Sequence, residues 1–521
     1  MARKMFKNLF SLLNTKKGVW VIIGTIILLR TWKVAELFNF TFSEEHQAFL
    51  AWEQIKNFHP IWIGVSAANI YYYLGPGFTY INALLFKISN GDPASLAWFA
   101  SLLGLATTAS IYYVARTFFS NKIGLYAAII YGCSTLINLN DRRFWNPTPI
   151  PFITIWMVFS LIKAKKNPNW LILTAGLIGA AFHTHLTMVL FMVPTLYVVY
   201  VSFKKQTLKT NMKAALLACI VYLIVTSPLI VFDVVHNFDN LMMPIRTITG
   251  KQRAALDTIN MPNMASHLGE ISSSFGRLWY IKLYSNPQDE VVLESHNDQT
   301  RGNIMLASIT FLALFYFLIK NKNEGYEIFS ISIITILFAF ILYPSYNPEY
   351  YLMSILTLMA IAIAYGMNSM PQKLSNSILA LFIIANIATT MTLSDKYGLL
   401  TRAQLVKKTM QGIGNKSYEL ETIGELPKPA FTYAGWRYIF KYYGATPAKS
   451  NVDPVLGWIY PDEISKEVPE LKVIVADTIE PKFDQEPIAT FSNGPYRSYV
   501  FNSAIKSPMR KLVGWRRSPL R

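Results

Sequence analysis

Apolar residues occur in long runs along most of this 521-residue chain. The runs recur every roughly 20 to 30 residues, and each is long enough to cross about 30 Å of hydrocarbon. The predicted segments are 18–31, 69–89, 94–115, 122–138, 148–163, 169–184, 186–203, 213–232, 303–320, 326–343, 350–368 and 376–393. Because a backbone in lipid must satisfy its own hydrogen bonds, these segments are predicted to be helices. The pattern therefore predicts an all-α polytopic membrane protein with about 11–13 transmembrane helices.

Loop charge predicts the orientation of the segments, since short cytoplasmic loops carry an excess of Lys and Arg. The basic N-terminus and the basic connections after residues 163, 204 and 320 belong inside. Counting every segment as one crossing places 164–168 outside, against its charge. The conflict disappears if 60–90 enters and leaves on one face, as a re-entrant hairpin or two short crossings. The outer regions are then 33–68, 138–148, 184–186, 233–302, 344–350 and the chain from about 395.

The pattern changes after residue 394. The segment 395–521 carries Pro, charge and two short alternating or apolar runs, Leu471–Ala476 and Tyr496–Phe501, which are typical of strands. We predict a membrane domain over 1–394 and a small extracytoplasmic α/β domain over 395–521. Its end, 506–521, is basic and is predicted to rest on anionic lipid.

Composition excludes an ordinary soluble protein. Hydrophobic residues make up 52% and charged residues 15% of the chain, against about 25% charged in soluble domains. The net charge of +18 lies mainly in short loops, and no long basic run with aromatics indicates nucleic-acid binding. The two cysteines, Cys133 and Cys219, are too few for a disulfide framework or a thiolate zinc site.

Two adjacent acids, Glu44 and Glu45, lie in the first outer loop before an amphipathic stretch. A carboxylate at a half-dry interface has a raised pKa unless a cation is near, which suits a general base. Neighbouring side chains on a helix diverge, so we expect at most one of the two to enter a given pocket. The alternative is an acid that stabilises the start of a helix.

A second cluster is Asn140-Asp-Arg-Arg-Phe-Trp-Asn-Pro147, at the end of an apolar segment. Arg142 and Arg143 hold their charge and offer planar forks of donors that match a phosphate. The alternative is that they reach lipid headgroups, which predicts placement on the inner face. Loop charge favours the outer face.

Further polar and aromatic residues lie at the predicted outer ends of segments. His183 and His185 are two apart, so they diverge on a helix and do not suggest a metal site; either one lines a cavity or both pack. The long loop 233–302 carries further candidates for lining a cavity, and the late segment 343–351 carries aromatics typical of an interfacial belt. These candidates are Asp233, His236, Arg246, Glu349 and Tyr350.

Taken in order, these pieces resemble the GT-C membrane glycosyltransferases of family 39, which include protein O-mannosyltransferases and the lipid A aminoarabinose transferase. The resemblance covers roughly residues 20–370. It is carried by Glu44 before Ala48-Phe-Leu-Ala-Trp52, by Tyr71-Tyr-Tyr-Leu-Gly-Pro-Gly-Phe-Thr-Tyr80, by Asp141-Arg-Arg-Phe-Trp-Asn-Pro147, and by His185. The chain has Glu44-Glu45 where the family has Asp, and Leu74-Gly75 where a His or Lys often precedes the Pro.

The resemblance implies transfer of a sugar from a polyprenyl-phosphate donor to a glycan, lipid or protein acceptor on the outer face of the cell membrane. It implies Glu44 or Glu45 as catalytic acid-base residues, and Arg142, Arg143, His185, Tyr73 and Asn146 as phosphate or donor contacts. The acid and a guanidinium are expected to converge on one pocket. No cofactor and no metal is implied, and no nucleic-acid partner. The alternatives are a transporter or flippase and a non-catalytic component of envelope-glycan assembly.

Overall fold

The computed structural model describes residues 15–67, 72–205, 211–249, 261–283, 300–344, 348–394, 397–423, 435–450, 468–477 and 481–503. The chain divides into two compact units. The first unit comprises 1–34, 60–81 and 97–393, and the second comprises 35–59, 82–96 and 394–521. The second unit thus joins the segment predicted as a C-terminal domain to most of the first predicted outer loop. The predicted basic tail, 506–521, lies outside the described residues.

Helices account for most of the described chain, and each of the predicted apolar segments contains one. The α-helices are α1 Lys16–Thr31, α2 Phe42–Asn57, α3 Gly77–Ser89, α4 Ala94–Phe118, α5 Asn121–Cys133, α6 Thr135–Asn140, α7 Ile150–Ala164, α8 Trp170–Ala181, α9 Met192–Lys204, α10 Met212–Val235, α11 Asp239–Ile248, α12 Met261–Arg277, α13 Ile304–Lys320, α14 Tyr326–Leu342, α15 Met353–Asn368, α16 Gln372–Thr392, α17 Leu399–Ile413 and α18 Trp436–Tyr443. Short 3-10 helices, Leu186–Phe191 and Glu349–Leu352, precede α9 and α15.

Within the described residues, five helical stretches are long and apolar enough to cross a membrane. They are Ala94–Phe118, Leu186–Lys204, Met212–Val235, Glu349–Asn368 and Gln372–Thr392. In the most apolar part of α10 only 17% of the residues are buried by protein, whereas in that of Glu349–Asn368 78% are buried. Both are strongly apolar, so lipid must solvate α10 while neighbouring helices surround α15. The protein is a multi-pass membrane protein.

One predicted segment, 122–138, is broken into two helices at Ser134. The freed backbone is satisfied inside the bundle, because the N–H of Thr135 donates to Oδ1 of Asn386 at 2.8 Å. Asn386 also donates to the carbonyl of Trp279 at 2.9 Å, and the hydroxyl of Ser134 donates to the carbonyl of Leu278 at 2.8 Å. An irregular backbone of this kind is tolerated among apolar helices only where protein covers it.

Among the described residues of 60–90 there is one helix, so the alternative of two short helical crossings is wrong there, and the re-entrant alternative stays a prediction. Strands β1 Ser66–Ala67 and β2 Tyr72–Tyr73 pair antiparallel and lead into α3. At 1.5 Å per residue, the 13 residues of α3 span about 20 Å, which is less than the hydrocarbon thickness. The glycines of this segment, Gly64, Gly75 and Gly77, allow the compact turn because a Cβ on any of them would overlap a neighbouring group. A second small hairpin pairs β3 Lys282–Leu283 with β4 Thr300–Arg301.

The second unit contains a five-stranded mixed sheet with α17 and α18. Its strands are β5 Tyr418–Ile423, β6 Lys449–Ser450, β7 Leu471–Asp477, β8 Ala489–Asn493 and β9 Tyr496–Asn502, in the order β6-β5-β7-β9-β8. β7 runs parallel to β5 and antiparallel to β9. Residues 471–476 are all buried, as expected of an apolar central strand. Both predicted strands and the α/β character of this region are confirmed.

Candidate active site

Arg30 and Asp141 form a buried ion pair in the first unit. Arg30 lies in the last turn of α1, and its Nη1 donates a hydrogen bond to Oδ2 of Asp141, which directly follows α6. Its Nη2 donates to the carbonyl of Tyr131 at 3.1 Å. Gly104 on α4 makes room for the pair, since a Cβ there would overlap both charged groups. The pair cancels two charges locally and fixes both side chains.

Arg142 supplies a second buried guanidinium beside this pair. It is 1% exposed, and its Nη2 donates to the carbonyl of Leu29 at 2.8 Å. Among the described residues, its Nε and Nη1 have no hydrogen-bond partner. Burial, and secondarily the charge of Arg30, lowers the pKa of Arg142 to about 10, so the group stays protonated at neutral pH. Since Asp141 is paired with Arg30, one positive charge is in excess here.

Arg143 differs from Arg142 because it is partly exposed and stacks on an aromatic ring. Its Cζ lies 3.7 Å from the ring centroid of Trp145. The ring of Trp145 in turn meets that of Tyr350 edge-on, with centroids 4.4 Å apart. Stacking fixes the plane of a guanidinium and leaves its edge donors available to an anion.

His185 completes this group, which we call the aromatic cluster: Trp145, His185, Tyr350 and Tyr351. The His185 ring lies 5.4 Å from the ring of Tyr350 and 4.9 Å from that of Tyr351. Its Nδ1 accepts from the N–H of Thr187 at 3.2 Å. Burial lowers the pKa of His185 to about 4, so the ring is neutral at pH 7. The proton then resides on Nε2, which is a hydrogen-bond donor.

Asn146, predicted to contact the sugar donor, anchors the loop that carries Arg143 and Trp145. Its Nδ2 donates to the carbonyl of Thr184 at 2.7 Å. Thr148 adds a second constraint, because its hydroxyl accepts from the N–H of Trp145 at 3.0 Å and donates to the carbonyl of Arg143 at 2.7 Å. The Trp-Asn-Pro motif is therefore tied to the segment of His185 through backbone carbonyls.

Glu349, a candidate for lining a cavity, is the centre of a buried ionic network. Its Oε1 accepts from Nη2 of Arg277 at 2.6 Å and from the hydroxyl of Ser274 at 2.7 Å. Arg277 also reaches Glu270 at 3.1 Å. Burial, and then the charge of Glu349, raises the pKa of Glu270. The network fixes the residue that immediately precedes Tyr350.

His183 is held on both sides of its ring. Its Nδ1 accepts from the N–H of Gly77 at 3.0 Å, and its Nε2 donates to the carbonyl of Val225 at 2.8 Å. A Cβ on Gly75 or Gly77 would overlap the ring. Both ring nitrogens serve backbone groups, which is the packing alternative stated for this residue. Within the described part of the chain, no group of three His, Cys, Asp or Glu side chains has metal-binding geometry.

Tyr73 and Asp233 contribute to local structure around α11. The Asn240 side chain accepts from the N–H of Tyr73 at 2.7 Å and donates to its carbonyl at 3.1 Å, as a neighbouring strand would. Asp233 is buried and accepts from the N–H of Leu241 at 3.0 Å. The polar contact of Tyr73 that the structure shows is thus made by its backbone, and its side chain is exposed.

His236 and Arg246 lie on the surface. The ring of His236 stacks on Phe232 at 4.0 Å, and its Nδ1 lies 2.8 Å from the Phe232 carbonyl. Arg246 pairs with Asp239 at 2.8 Å on the same helix, and both side chains are exposed. Such pairs add little stability. The basic residues Lys251 and Arg253 of this loop lie outside the described residues.

The two acids of the first loop belong to the second unit and have different partners. Glu44 is the third residue of α2, and its Oε2 accepts from the N–H of Thr41 at 2.9 Å and from the Thr41 hydroxyl at 2.5 Å. This capping box satisfies the start of α2. The alternative of an acid at a helix start is therefore confirmed for Glu44, and a role as base stays a prediction.

Glu45 faces the other side of α2 and caps a second helix. It is fully buried, and its Oε1 accepts from the N–H of Tyr438 at 2.9 Å. Tyr438 is the third residue of α18, so its N–H is one of those that lack a partner within the helix. The positive end of the α18 dipole adds to this interaction. The expectation that the two acids diverge is confirmed.

Sequence reasoning missed Arg30, Arg277 and Tyr438. Arg30 ends an apolar segment on the side predicted to be outer, where the charge rule disfavours arginine, and this was a usable signal. Arg277 lies within the long loop 233–302, which carried no recognisable pattern around it. Tyr438 is one of 29 tyrosines, and nothing in its neighbourhood distinguishes it.

Comparison with known proteins bears on this arrangement. A family model described as dolichyl-phosphate-mannose-protein mannosyltransferase matches residues 74–232. That stretch contains Arg142, Arg143 and His185 and ends before Asp233. Comparison with curated protein sequences gives no match.

Solved structures resemble the chain over nearly its whole length. ArnT from Cupriavidus metallidurans bound to undecaprenyl phosphate has a TM-score of 0.61 at 11% identity, covering 93% of this chain and 98% of that chain. The chain has a GT-C fold. ArnT in the apo state has a TM-score of 0.58 at 10% identity, covering 94% and 99%. The GT-C fold, with a small C-terminal sheet domain, confirms the fold class predicted from the sequence.

Proposed function

We propose that the protein is a membrane glycosyltransferase that transfers a hexose or pentose from a polyprenyl-phosphate donor to a protein, lipid or glycan acceptor. The GT-C fold shared with ArnT, whose structure contains undecaprenyl phosphate, supports this proposal, as does the family-model match over 74–232. The observation that carries it is a pair of adjacent arginines, of which Arg142 holds an uncompensated buried charge and Arg143 stacks on Trp145 of the aromatic cluster. Arg142 is buried with donors unused in the described structure, and Arg143 is accessible next to it.

In the proposed reaction, Arg143 and the Nε2–H of His185 contact the donor phosphate. Arg142 adds positive potential from its buried position next to the neutralised Arg30–Asp141 pair. Negative charge grows on the phosphate oxygen as the bond to the sugar breaks. Fixed donors in a dry site stabilise that charge more than they stabilise the ground state.

Glu44 is the proposed general base. The acceptor nucleophile attacks the anomeric carbon and loses its proton to Glu44, while polyprenyl phosphate leaves with the electron pair of the broken bond. A single displacement inverts the anomeric configuration. Both acids are buried. Glu44 is favoured over Glu45 because the Glu45 carboxylate holds the start of a second helix, α18, by accepting from the N–H of Tyr438. This scheme uses no cofactor and no metal.

We place the reaction on the outer face of the cell membrane, with the N-terminus cytoplasmic and the C-terminal domain extracytoplasmic. Loop charge supports this orientation. Arg30, Asp141 and Arg142 then lie at the outer ends of their helices, where an arginine is not explained by the charge rule. An apolar surface such as that of α10 suits the polyprenyl tail and the surrounding lipid.

The test is an assay of purified protein in lipid nanodiscs with radiolabelled polyprenyl-phosphate sugars. The proposal expects label to leave the lipid and to appear on an acceptor or in water. Glu44→Gln should reduce turnover by about 10² to 10⁴ without weakening donor binding. Glu53→Gln, on the same helix, is the control and should retain activity. Donor that crosses the bilayer with its sugar still attached would instead indicate a flippase, and full activity of Glu44→Gln would end the assignment of the base.

A further inference from the structure

The second unit attaches the start of α2 to the C-terminal segment through buried polar contacts. Glu45, next to the proposed base, accepts from the backbone N–H of Tyr438 at 2.9 Å. Trp52, two turns further along α2, donates from Nε1 to the hydroxyl of Tyr438 at 2.8 Å. One residue of α18 therefore holds α2 at two points along its length.

Tyr438 is the hub of these contacts. Its hydroxyl also donates to the carbonyl of Gly91 at 2.9 Å, so it is both donor and acceptor. Its ring is packed by three phenylalanines at the same centroid distance of 5.5 Å: Phe40, Phe49 and Phe86. Only 1% of the residue is exposed. Burial raises the pKa of the phenol, so the hydroxyl stays protonated and able to donate.

The chain just before α2 is held by the same segment. The N–H of Leu399 donates to the carbonyl of Phe38 at 2.8 Å, and Nη1 of Arg402 donates to the carbonyl of Phe40 at 2.9 Å. Gly435, with φ +90°, approaches the Phe40 carbonyl so closely that a Cβ would overlap it. The C-terminal segment thus fixes both the entry to α2 and its first turns.

We propose that Tyr438 and Glu45 are positioning residues for Glu44, so that the C-terminal domain sets the position of the proposed general base. This inference rests on the proposed function. Adjacent Cα atoms are held about 3.8 Å apart, so anchoring Glu45 also places Glu44. A displacement of about 1 Å at a reacting group can cost about 10²-fold in rate, even when the cause is remote. The capping box gives the Glu44 side chain its local conformation, and the Tyr438 contacts place the helix that carries it.

Two pairs of variants test this. Tyr438→Phe removes the hydroxyl that makes hydrogen bonds to Trp52 and Gly91, and it keeps the ring. Its control is Tyr442→Phe, which lies on the same helix and is partly exposed. Glu45→Gln keeps an oxygen that accepts from Tyr438, whereas Glu45→Ala does not. For each variant, kcat is measured with labelled donor, and affinity is measured with undecaprenyl phosphate.

We expect Tyr438→Phe and Glu45→Ala to lower kcat about tenfold or more, with donor affinity within about twofold of wild type. Tyr442→Phe should match wild type, and Glu45→Gln should recover most of the kcat that Glu45→Ala loses. Unchanged kcat in Tyr438→Phe would overturn the inference, and so would equal losses of kcat and donor affinity. A Glu45→Gln variant as inactive as Glu45→Ala would show that the carboxylate itself reacts. Failure of the proposed function is separate, because the wild type would then show no transfer or Glu44→Gln would be active.

Discussion

Asp141 accepts a hydrogen bond from Arg30, a residue 111 positions away, and so neutralises a different arginine from the one that follows it in sequence. The consequence is that Arg142 keeps an uncompensated charge in a buried position. A protein that only needed to hold two helices together would gain more from apolar packing than from two buried cations and one anion. The arrangement is explained if an anion binds beside it.

Removing the charge of Asp141 should therefore destabilise the first unit. Asp141→Asn leaves both Arg30 and Arg142 buried without a counterion, and loss of one partner of a buried pair typically costs about 3–5 kcal/mol. Asp239→Asn, which breaks the exposed pair with Arg246, should cost less than about 1 kcal/mol. The free energy of unfolding in mixed micelles, measured by denaturant titration, distinguishes the two. Equal effects of both substitutions would contradict the assigned role of the buried pair.

Donor affinity should depend on Arg143. Hydrogen bonds to a charged partner contribute about 1.5–3 kcal/mol, so Arg143→Gln should weaken binding of undecaprenyl phosphate by about 10- to 100-fold. Arg116→Gln removes an exposed arginine of α4 and serves as the matched control. Equilibrium binding to nanodisc-embedded protein gives the affinity. If Arg143→Gln binds the lipid as tightly as the control, Arg143 is not a phosphate contact.

The environment of His185 predicts a pH dependence of stability. Its pKa is lowered to about 4, below the ordinary value of 6.5, so the folded protein takes up its proton later than the unfolded chain as pH falls. The contribution to stability is complete above about pH 6.5 and is lost as pH falls through the window from 6.5 to 4. His185→Gln should reduce the stability lost as pH falls, by at most about 3 kcal/mol of unfolding free energy at the lowest pH.

The measurement is the unfolding midpoint at several pH values from 7 to 4.5, for the wild type and His185→Gln. His236→Gln, whose ring is exposed, provides the control curve. His46 also has a pKa lowered to about 4 by burial, so part of the slope should remain in the variant. A slope identical in the wild type and His185→Gln would show that the His185 ring is not buried in the neutral form.

The sequence predicted the helices well, because apolar runs of this length have few alternatives in lipid. It also predicted β7 and β9, whose apolar and alternating residues fit a central strand and its neighbour. It did not predict the break at Ser134. That break depends on Asn386, an asparagine of α16 more than 250 positions away, whose amide satisfies the freed backbone.

The sequence indicated several residues of the candidate site, but it did not indicate which of them contact each other. The Trp-Asn-Pro motif and His185 are brought together in the aromatic cluster, as their shared placement at segment ends suggested. The different roles of Arg142 and Arg143 follow from burial, which no local pattern reveals. Glu45 meets Tyr438 across 393 positions, so its commitment to α18 could only be read from the structure.

The proposed binding of a lipid phosphate is tested most directly by a cryo-EM structure of the protein in nanodiscs with undecaprenyl phosphate. We predict density for the phosphate within about 3 Å of the Arg143 guanidinium and of Nε2 of His185, with the prenyl chain leading away into lipid. Phosphate density that lies elsewhere on the protein, with Arg143 still stacked on Trp145 and contacting no ligand, would contradict the account.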